Sequence, residues 1–263
     1  MLKIQSLGSG SKGNCTYVAS ENTQILVDVG LSIRELKNRM SQAGIRPDRI
    51  DAILITHEHS DHVGGVAAFL KEFQTKIYLH SETVGVITDE IGFFAENLLE
   101  TFGQSFKIGD IAVDFFSVPH DSQYCFGYTF EKDDAKISIA TDLGTAAPEL
   151  INRLAGSQIV MLESNHDLLK LQNNVKYPAF LKRRIAGSKG HLSNAAASLA
   201  VFQLASTGVQ QIILAHLSEQ NNTPTLAYNF MRNFLATKGL TEGVDISIDV
   251  AEQHRPSRLF QID

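Results

Sequence analysis

The stretch Ile53-Leu54-Ile55-Thr56-His57-Glu58-His59-Ser60-Asp61-His62-Val63-Gly64-Gly65 runs from an apolar β-segment straight into three histidines and two acids within six residues. Such groups are costly to bury unpaired, so a core has no use for them at the end of a buried strand. Imidazole suits zinc, iron and manganese, and carboxylate suits the harder end of that range. Alternation along an extended segment puts His57 and His59 on one side, able to grip one ion. Asp61 and His62 fall where the chain turns into the next helix, and can reach a second. The pattern predicts a metal site on a loop leaving a strand.

Working outward, strands and helices alternate. Residues 4–7, 15–18 and 25–28 read as short strands, with Gly8, Gly10 and Gly13 turning the chain between the first two. Ser32 followed by Glu35 is a capping box. Ile33, Leu36 and Met40 supply the apolar stripe of the helix that follows, and Gly44 ends it. The spacing predicts a strand over 52–56, a helix over 63–73 and a strand over 76–80. Further on, 111–118, 125–131 and 136–141 are β-rich. Helices over 146–154, 194–205 and 225–237 then alternate with strands over 159–162, 211–215 and 244–250. A β-then-α rhythm run once in each half implies two sheets packed together with helices outside, in a single domain over 1–263. No linker, low-complexity tract or repeat interrupts it.

No window of the 263 residues is apolar for long enough to span a membrane. The N-terminus lacks a basic flank followed by an apolar run, which argues against a secretory signal. Cys15 and Cys125 sit in strand-like apolar contexts and read as core residues, which suits a reducing cytoplasm. The net charge of −6 argues against a protein that coats nucleic acid with its whole surface. The charge is uneven, however. From Leu168 to Ser218 there is no acid, while Lys170, Lys176, Lys182, Arg183, Arg184 and Lys189 give +6 and leave −12 on the remainder.

The His-x-His-x-Asp-His loop after an apolar strand resembles the metallo-β-lactamase superfamily, which implies an α/β (α+β) fold, a four-layer αββα sandwich with a dinuclear metal site at one edge of the sheets. The resemblance implies further ligands on distant loops. His120 in Pro119-His120-Asp121 matches a third histidine, Asp142 in Thr141-Asp142-Leu143-Gly144 the bridging carboxylate, and His216 in Ala215-His216-Leu217 the last histidine. Site one would be His57, His59, His120 and Asp142; site two would be Asp61, His62, His216 and Asp142. Asp28 matches a buried aspartate that orients the ligand loop. Two divalent ions, zinc first with manganese or iron also compatible, would lower the pKa of a shared water from about 15.7 towards about 7. Asp61 and His191 are the candidate catalytic side chains.

An aspartate at the bridging position fits thioester hydrolases, lactonases, phosphodiesterases and nucleases alike. The basic stretch lies between Asp142 and His216, so its ends are tied to the metal loops. With Gly8-Ser9-Gly10-Ser11-Lys12-Gly13-Asn14, the Asn165 cluster and Gly190-His191-Leu192-Ser193-Asn194, it resembles the YycJ-like (WalJ-like) branch. That resemblance implies a 5′-directed exonuclease on single-stranded or terminal DNA, or on a small phosphodiester. Lys12, Asn14, Asn165, Lys182, Arg183, Arg184, Ser193 and Asn194 are candidate substrate contacts, the last two at a helix N-terminus that favours an anion. Only 73 residues separate Asp142 from His216, too few for the large insertion of β-CASP ribonucleases. The alternatives are a glyoxalase II-like thioester or lactone hydrolase and a non-catalytic metal- or ligand-sensing protein on the same fold. His80 reads as structural, Tyr124, Phe126 and Tyr128 as sheet packing, and Phe93-Phe94 as core or as a lip over the site.

Overall fold

The computed structural model describes residues 1–92 and 95–263; Phe93 and Phe94 lie outside the described residues. The first half runs β1 (Leu2–Gly8), β2 (Cys15–Ala19), β3 (Gln24–Val27), α1 (Ile33–Gln42), β4 (Ala52–Leu54), the one-turn α2 (Ser60–Val63), α3 (Val66–Phe73), β5 (Lys76–His80), α4 (Val84–Ile91) and β6 (Leu99–Phe102). The second half starts with β7 (Phe106–Ile108), β8 (Ile111–Ser117), β9 (Phe126–Lys132), β10 (Ala135–Ala140), α5 (Pro148–Leu154) and β11 (Ile159–Glu163). It continues with α6 (Leu168–Asn173), α7 (Ala179–Ile185), α8 (Asn194–Ala205), β12 (Gln211–Ala215), α9 (Pro224–Thr237), β13 (Ser247–Val250) and β14 (Phe260–Ile262).

Two seven-stranded sheets form, in the orders β14-β1-β2-β3-β4-β5-β6 and β13-β12-β11-β10-β9-β8-β7, the C-terminal β14 crossing back to complete the sheet of the first half. In the first sheet β3 to β6 are parallel, and in the second β10 to β13 are. Side-chain alternation divides the apolar residues among three cores. Ala52 and Leu54 point between the sheets while Ile53 points to the α1 and α3 side. Ile213 and Ala215 likewise face the first sheet while Ile212 and Leu214 face α8 and α9. Three cores make four layers, helix-sheet-sheet-helix, as expected. Both cysteines are buried and unpaired within these cores, and no described helix is long and apolar enough to cross a membrane.

Ser32 caps α1 by accepting from the Glu35 amide, and Gly44 follows it at φ 71°. The helix expected over 63–73 is instead two, broken at Gly64-Gly65. A Cβ on Gly65 would lie 2.0 Å from the Leu31 carbonyl, so close packing of two loops overrides helix continuity. The strand expected over 244–250 shortens to Ser247–Val250 because Gly243, at φ 79°, turns the chain before it. Helix α5 starts at Pro148 rather than 146, since proline belongs at a first helical position. Elements α4, β6, β7, α6, α7 and β14 were not anticipated from the pattern.

The sheets are tied near the edge that carries the cluster. Tyr128 on β9 is fully buried, and its hydroxyl donates to the Ile55 carbonyl just past β4. Tyr128→Phe leaves that carbonyl short of a donor and should cost about 1–2 kcal/mol of unfolding free energy, measured by urea denaturation. A loss below about 0.3 kcal/mol would show that the tie contributes nothing.

Candidate metal centre

The candidate side chains come together because strands of both sheets end at one edge. Asp28 follows β3, the His57–His62 loop follows β4, His120 follows β8, Asp142 follows β10, Glu163 closes β11 and His216 follows β12. Three of these residues leave their strands by a left-handed turn: Asp28 at φ 62°, Asp142 at φ 57° and His216 at φ 54°. Only a few residue types tolerate that region, Asp among them. The turn swings each side chain out of the sheet plane into the shared space. Gly30 lets two of the loops touch, since a Cβ there would lie 1.7 Å from the Asp61 carbonyl oxygen.

Buried Asp28 aims the histidine loop. Its Oδ1 accepts from the Thr56 amide at 2.8 Å, and its Oδ2 accepts from the Thr56 hydroxyl at 2.9 Å and from His62 Nδ1 at 2.8 Å. The Thr56 oxygen, its proton committed to Asp28, lies 3.0 Å from His57 Nδ1 and accepts from it. His120 Nδ1 donates to the Gly190 carbonyl at 3.3 Å and His216 Nδ1 to Glu163 at 2.9 Å. With Nδ1 protonated in each of these four rings, Nε2 carries the lone pair.

Those lone pairs converge. His57, His59 and His120 form one group of donor atoms within 4.8 Å of one another, Asp61, His62 and His216 a second, and His57, His62 and Asp142 a third that links them. His57 Nε2 and His59 Nδ1 face each other at 3.0 Å. Asp142 lies between the groups, with Oδ2 3.3 Å from His62 Nε2 and Oδ1 3.3 Å from His216 Nδ1 and 3.9 Å from His120 Nε2. Two atoms test whether cations fit. Asp142 Oδ2 and His216 Nε2 are buried and hydrogen-bond to no described residue, which is a rare condition unless another partner is meant for them. The donor set, buried imidazoles and carboxylates with donor atoms converging within 4.8 Å of one another, fits divalent metal ions.

The field of the cluster agrees. Burial pushes the Asp61 and Glu163 carboxyls up, but histidine neighbours outweigh it and hold both well below the usual carboxylate range. Burial likewise opposes a charged His62, yet Asp142 and Asp28 raise it to about 9. His57, surrounded by other imidazoles, is pushed well below its ordinary value by burial and by His62 and His120. A pocket that keeps its carboxylates ionised and draws positive charge onto buried rings is suited to a cation.

A residue that was not singled out from the sequence, Glu163, organises the far wall. It is fully buried. Its Oε1 accepts from His191 Nδ1 at 2.8 Å and His216 Nδ1 at 2.9 Å; its Oε2 accepts from the Leu143 and Leu192 amides at 2.9 and 3.0 Å. Burial opposes a charged His191, but the Glu163 carboxylate more than offsets it and raises the imidazole's pKa. Glu163 ends a strand in Ile159-Val160-Met161-Leu162-Glu163 just as Asp28 follows one, and that parallel was its available signal. A pocket of about 220 Å³ opens over the cluster, lined by His59, Asp61, His120, Asp142, His191 and His216 and bounded by Ser11 and Arg184. Arg184 pairs with Asp121, whose other oxygen lies 3.3 Å from His120 Nε2.

The structure places the other expected substrate contacts as follows. Asn14 is buried, accepting from the Gly10 amide and donating at 3.1 Å to Asp61 Oδ2, so it positions the ligand loop. Buried Asn165 donates to the His216 carbonyl and buried Asn194 bonds Ser164 and Asn222, which leaves neither amide for a substrate. Ser193 caps α8 through the Ala196 amide while His166 O takes the Asn194 amide, so the expected anion site is filled internally. Lys12 pairs with Glu219 at 2.6 Å, Lys182 donates to the Gln172 carbonyl, and Arg183 stays exposed off the pocket wall. Among these candidates only Arg184 lines the pocket.

Comparison with known proteins agrees with this architecture. The family model for the beta-lactamase superfamily domain matches residues 23–217. The chain is 31% identical over 260 residues to Exodeoxyribonuclease YycJ of Bacillus anthracis, covering 98% of each chain. It is 32% identical over 251 residues to Exodeoxyribonuclease WalJ of Streptococcus pneumoniae serotype 2, covering 94% of this chain and 93% of that one. The metallo-beta-lactamase fold protein YhfI from Bacillus subtilis superposes with a TM-score of 0.73 at 14% identity, over 97% of this chain and 98% of that one. The fold is that of the metallo-β-lactamases, and the chain belongs to the beta-lactamase superfamily.

Proposed function

We propose that this protein is a metal-dependent phosphodiesterase that removes nucleotides from DNA ends. The observation that carries the reading is the sharing of Asp142 between two donor groups beneath a pocket whose mouth bears Arg184 and the basic α7. Near full-length likeness to two proteins named exodeoxyribonucleases supports DNA as the substrate. His57, His59, His120 and Asp142 would hold one divalent ion, and Asp61, His62, His216 and Asp142 the second. Zinc suits this histidine-rich set best, with manganese or iron compatible. Bound there, the ions supply Lewis acidity at the phosphoryl oxygens and make water acidic enough to attack near neutral pH.

The chain's own residues do the rest. Asp28 and Thr56 fix the ring orientation of His57 and His62. Asp61, steadied by Asn14, faces the pocket and would orient the attacking water by accepting its hydrogen bond. His191 turns Nδ1 to Glu163, and its Nε2 makes no hydrogen bond to a described residue. That nitrogen can give a proton to the leaving 3′- or 5′-oxygen, with Glu163 stabilising the charged ring beforehand. Arg184 offers charge to a phosphate oxygen. Two free buried cysteines support a reducing, cytoplasmic setting.

Metal-stripped protein reloaded with Zn²⁺ or Mn²⁺ should shorten 5′-phosphorylated single-stranded DNA from an end, and His59→Ala should abolish this, a fall of about 10³-fold or more. DNA left intact under both metals, with two equivalents of metal bound, would overturn the nuclease reading and favour thioesters and lactones. Glu163→Gln should lower kcat about 100-fold with KM little changed, because His191 loses the carboxylate that supports its proton. A kcat within about twofold of wild type would remove Glu163 and His191 from the proton path.

A further inference from the structure

The segment from the start of α6 through α7 carries a combination that the metal centre does not explain. Eight large apolar side chains are exposed among the described residues, and four of them, Leu168, Leu169, Val175 and Phe180, lie within thirteen consecutive positions. Extended to the end of α7 at Ile185, the segment holds five of the six basic residues of the acid-free stretch. A cluster this basic suits a polyanion. Phe180 combines the two. Its ring is 66% exposed, whereas the other exposed phenylalanine, Phe202, is 36% exposed with the Lys238 amine 5.7 Å from its ring.

Helix geometry joins Phe180 to the pocket. Leu181, Arg184 and Ile185 line the pocket wall, so one face of α7 looks inward. Phe180 precedes Arg184 by four residues and is its neighbour one turn back along the helix. Arg183, three residues on, is exposed and forms no ion pair among the described residues. The ring therefore stands on the shoulder of the pocket, with cationic heads one turn further along. Lys182 donates to the Gln172 carbonyl, holding α7 against α6 and fixing that shoulder.

Resting on the phosphodiesterase reading, we infer that Phe180 is a stacking platform for an unpaired base of a single-stranded DNA end, with Arg183 and Arg184 taking its phosphates. Polar and cationic groups alone would grip any phosphate backbone. A ring stacks only on a base whose face is uncovered; a single strand offers such faces along its length, a blunt duplex only at its terminal pair. Phe180 thus adds affinity for an end whose base faces are open, while the residues around Asp142 do the cleavage.

The test uses metal-loaded wild type, Phe180→Ala and Phe180→Trp. Turnover is measured on a 5′-phosphorylated single-stranded oligonucleotide, a blunt duplex of the same sequence and bis(p-nitrophenyl) phosphate. Binding is followed with a phosphorothioate strand carrying 2-aminopurine at each end in turn. Phe180→Ala should raise KM and Kd for the single strand about tenfold and abolish the stacking-induced quenching of 2-aminopurine. It should leave turnover of the small diester unchanged, and Phe180→Trp should restore binding. An unchanged KM and Kd for Phe180→Ala would overturn the inference. So would an altered sedimentation coefficient or altered binding to anionic vesicles without a change in KM, since the ring would then serve a second copy or a lipid surface. Wild type that turns over the small diester but no DNA would instead sink the nuclease reading, and this inference with it.

Discussion

One buried carboxylate holds the far wall of the cluster together. Glu163 accepts four hydrogen bonds from three different places: the loop after β10, the His191-Leu192 turn, and the end of β12. A charged group taken out of water this completely is tolerable only when every lone pair is engaged. The arrangement therefore leaves no slack. Moving any one donor uncovers the charge, so the loops that carry Asp142, His191 and His216 share one geometry.

Asp28 performs the matching task in the other sheet. It lies just past a parallel strand, spends both oxygens on Thr56 and fixes the tautomer of His62 directly and of His57 through the threonine. Each sheet thus supplies a carboxylate at a strand end that turns histidine Nδ1 outward and Nε2 inward. The donors meet because β3 and β4 in one sheet, and β10 to β12 in the other, run parallel and finish at the same edge. Packing between the sheets sets the separation of the two donor groups, and Tyr128 fastens that packing close to the cluster.

Much of this was legible in the residues themselves. His57 to His62 announced the cluster because so many ionisable groups in six positions have no place in a core. The α1 cap, the strand pattern and the locations of Asp28, Asp142 and His216 followed from local periodicity and resemblance. What escaped was fixed by contacts distant in sequence. Glu163 looks like an ordinary polar residue at a strand end until the fold brings His191 and His216, 28 and 53 residues on, against it. Asn14, Asn165 and Asn194 present the opposite case. Their amides suit a phosphate as well as a loop, and only burial reveals that the protein itself consumes them. Helices α6 and α7 were hidden by a lysine- and asparagine-rich segment whose apolar side chains point to solvent rather than along a core-facing stripe.

The left-handed turns at Asp28, Asp142 and His216 bear on how replacements at these positions are to be interpreted. An alanine there removes a functional group and also asks a residue with no hydrogen-bonding side chain to occupy a backbone region it disfavours by roughly 1 kcal/mol. Part of any lost stability then belongs to the main chain and not to the missing carboxylate or ring. Asparagine keeps the backbone content at the two aspartates, and glycine removes the strain at the histidine. Comparing those replacements with alanine separates the conformational contribution from the chemical one at each turn.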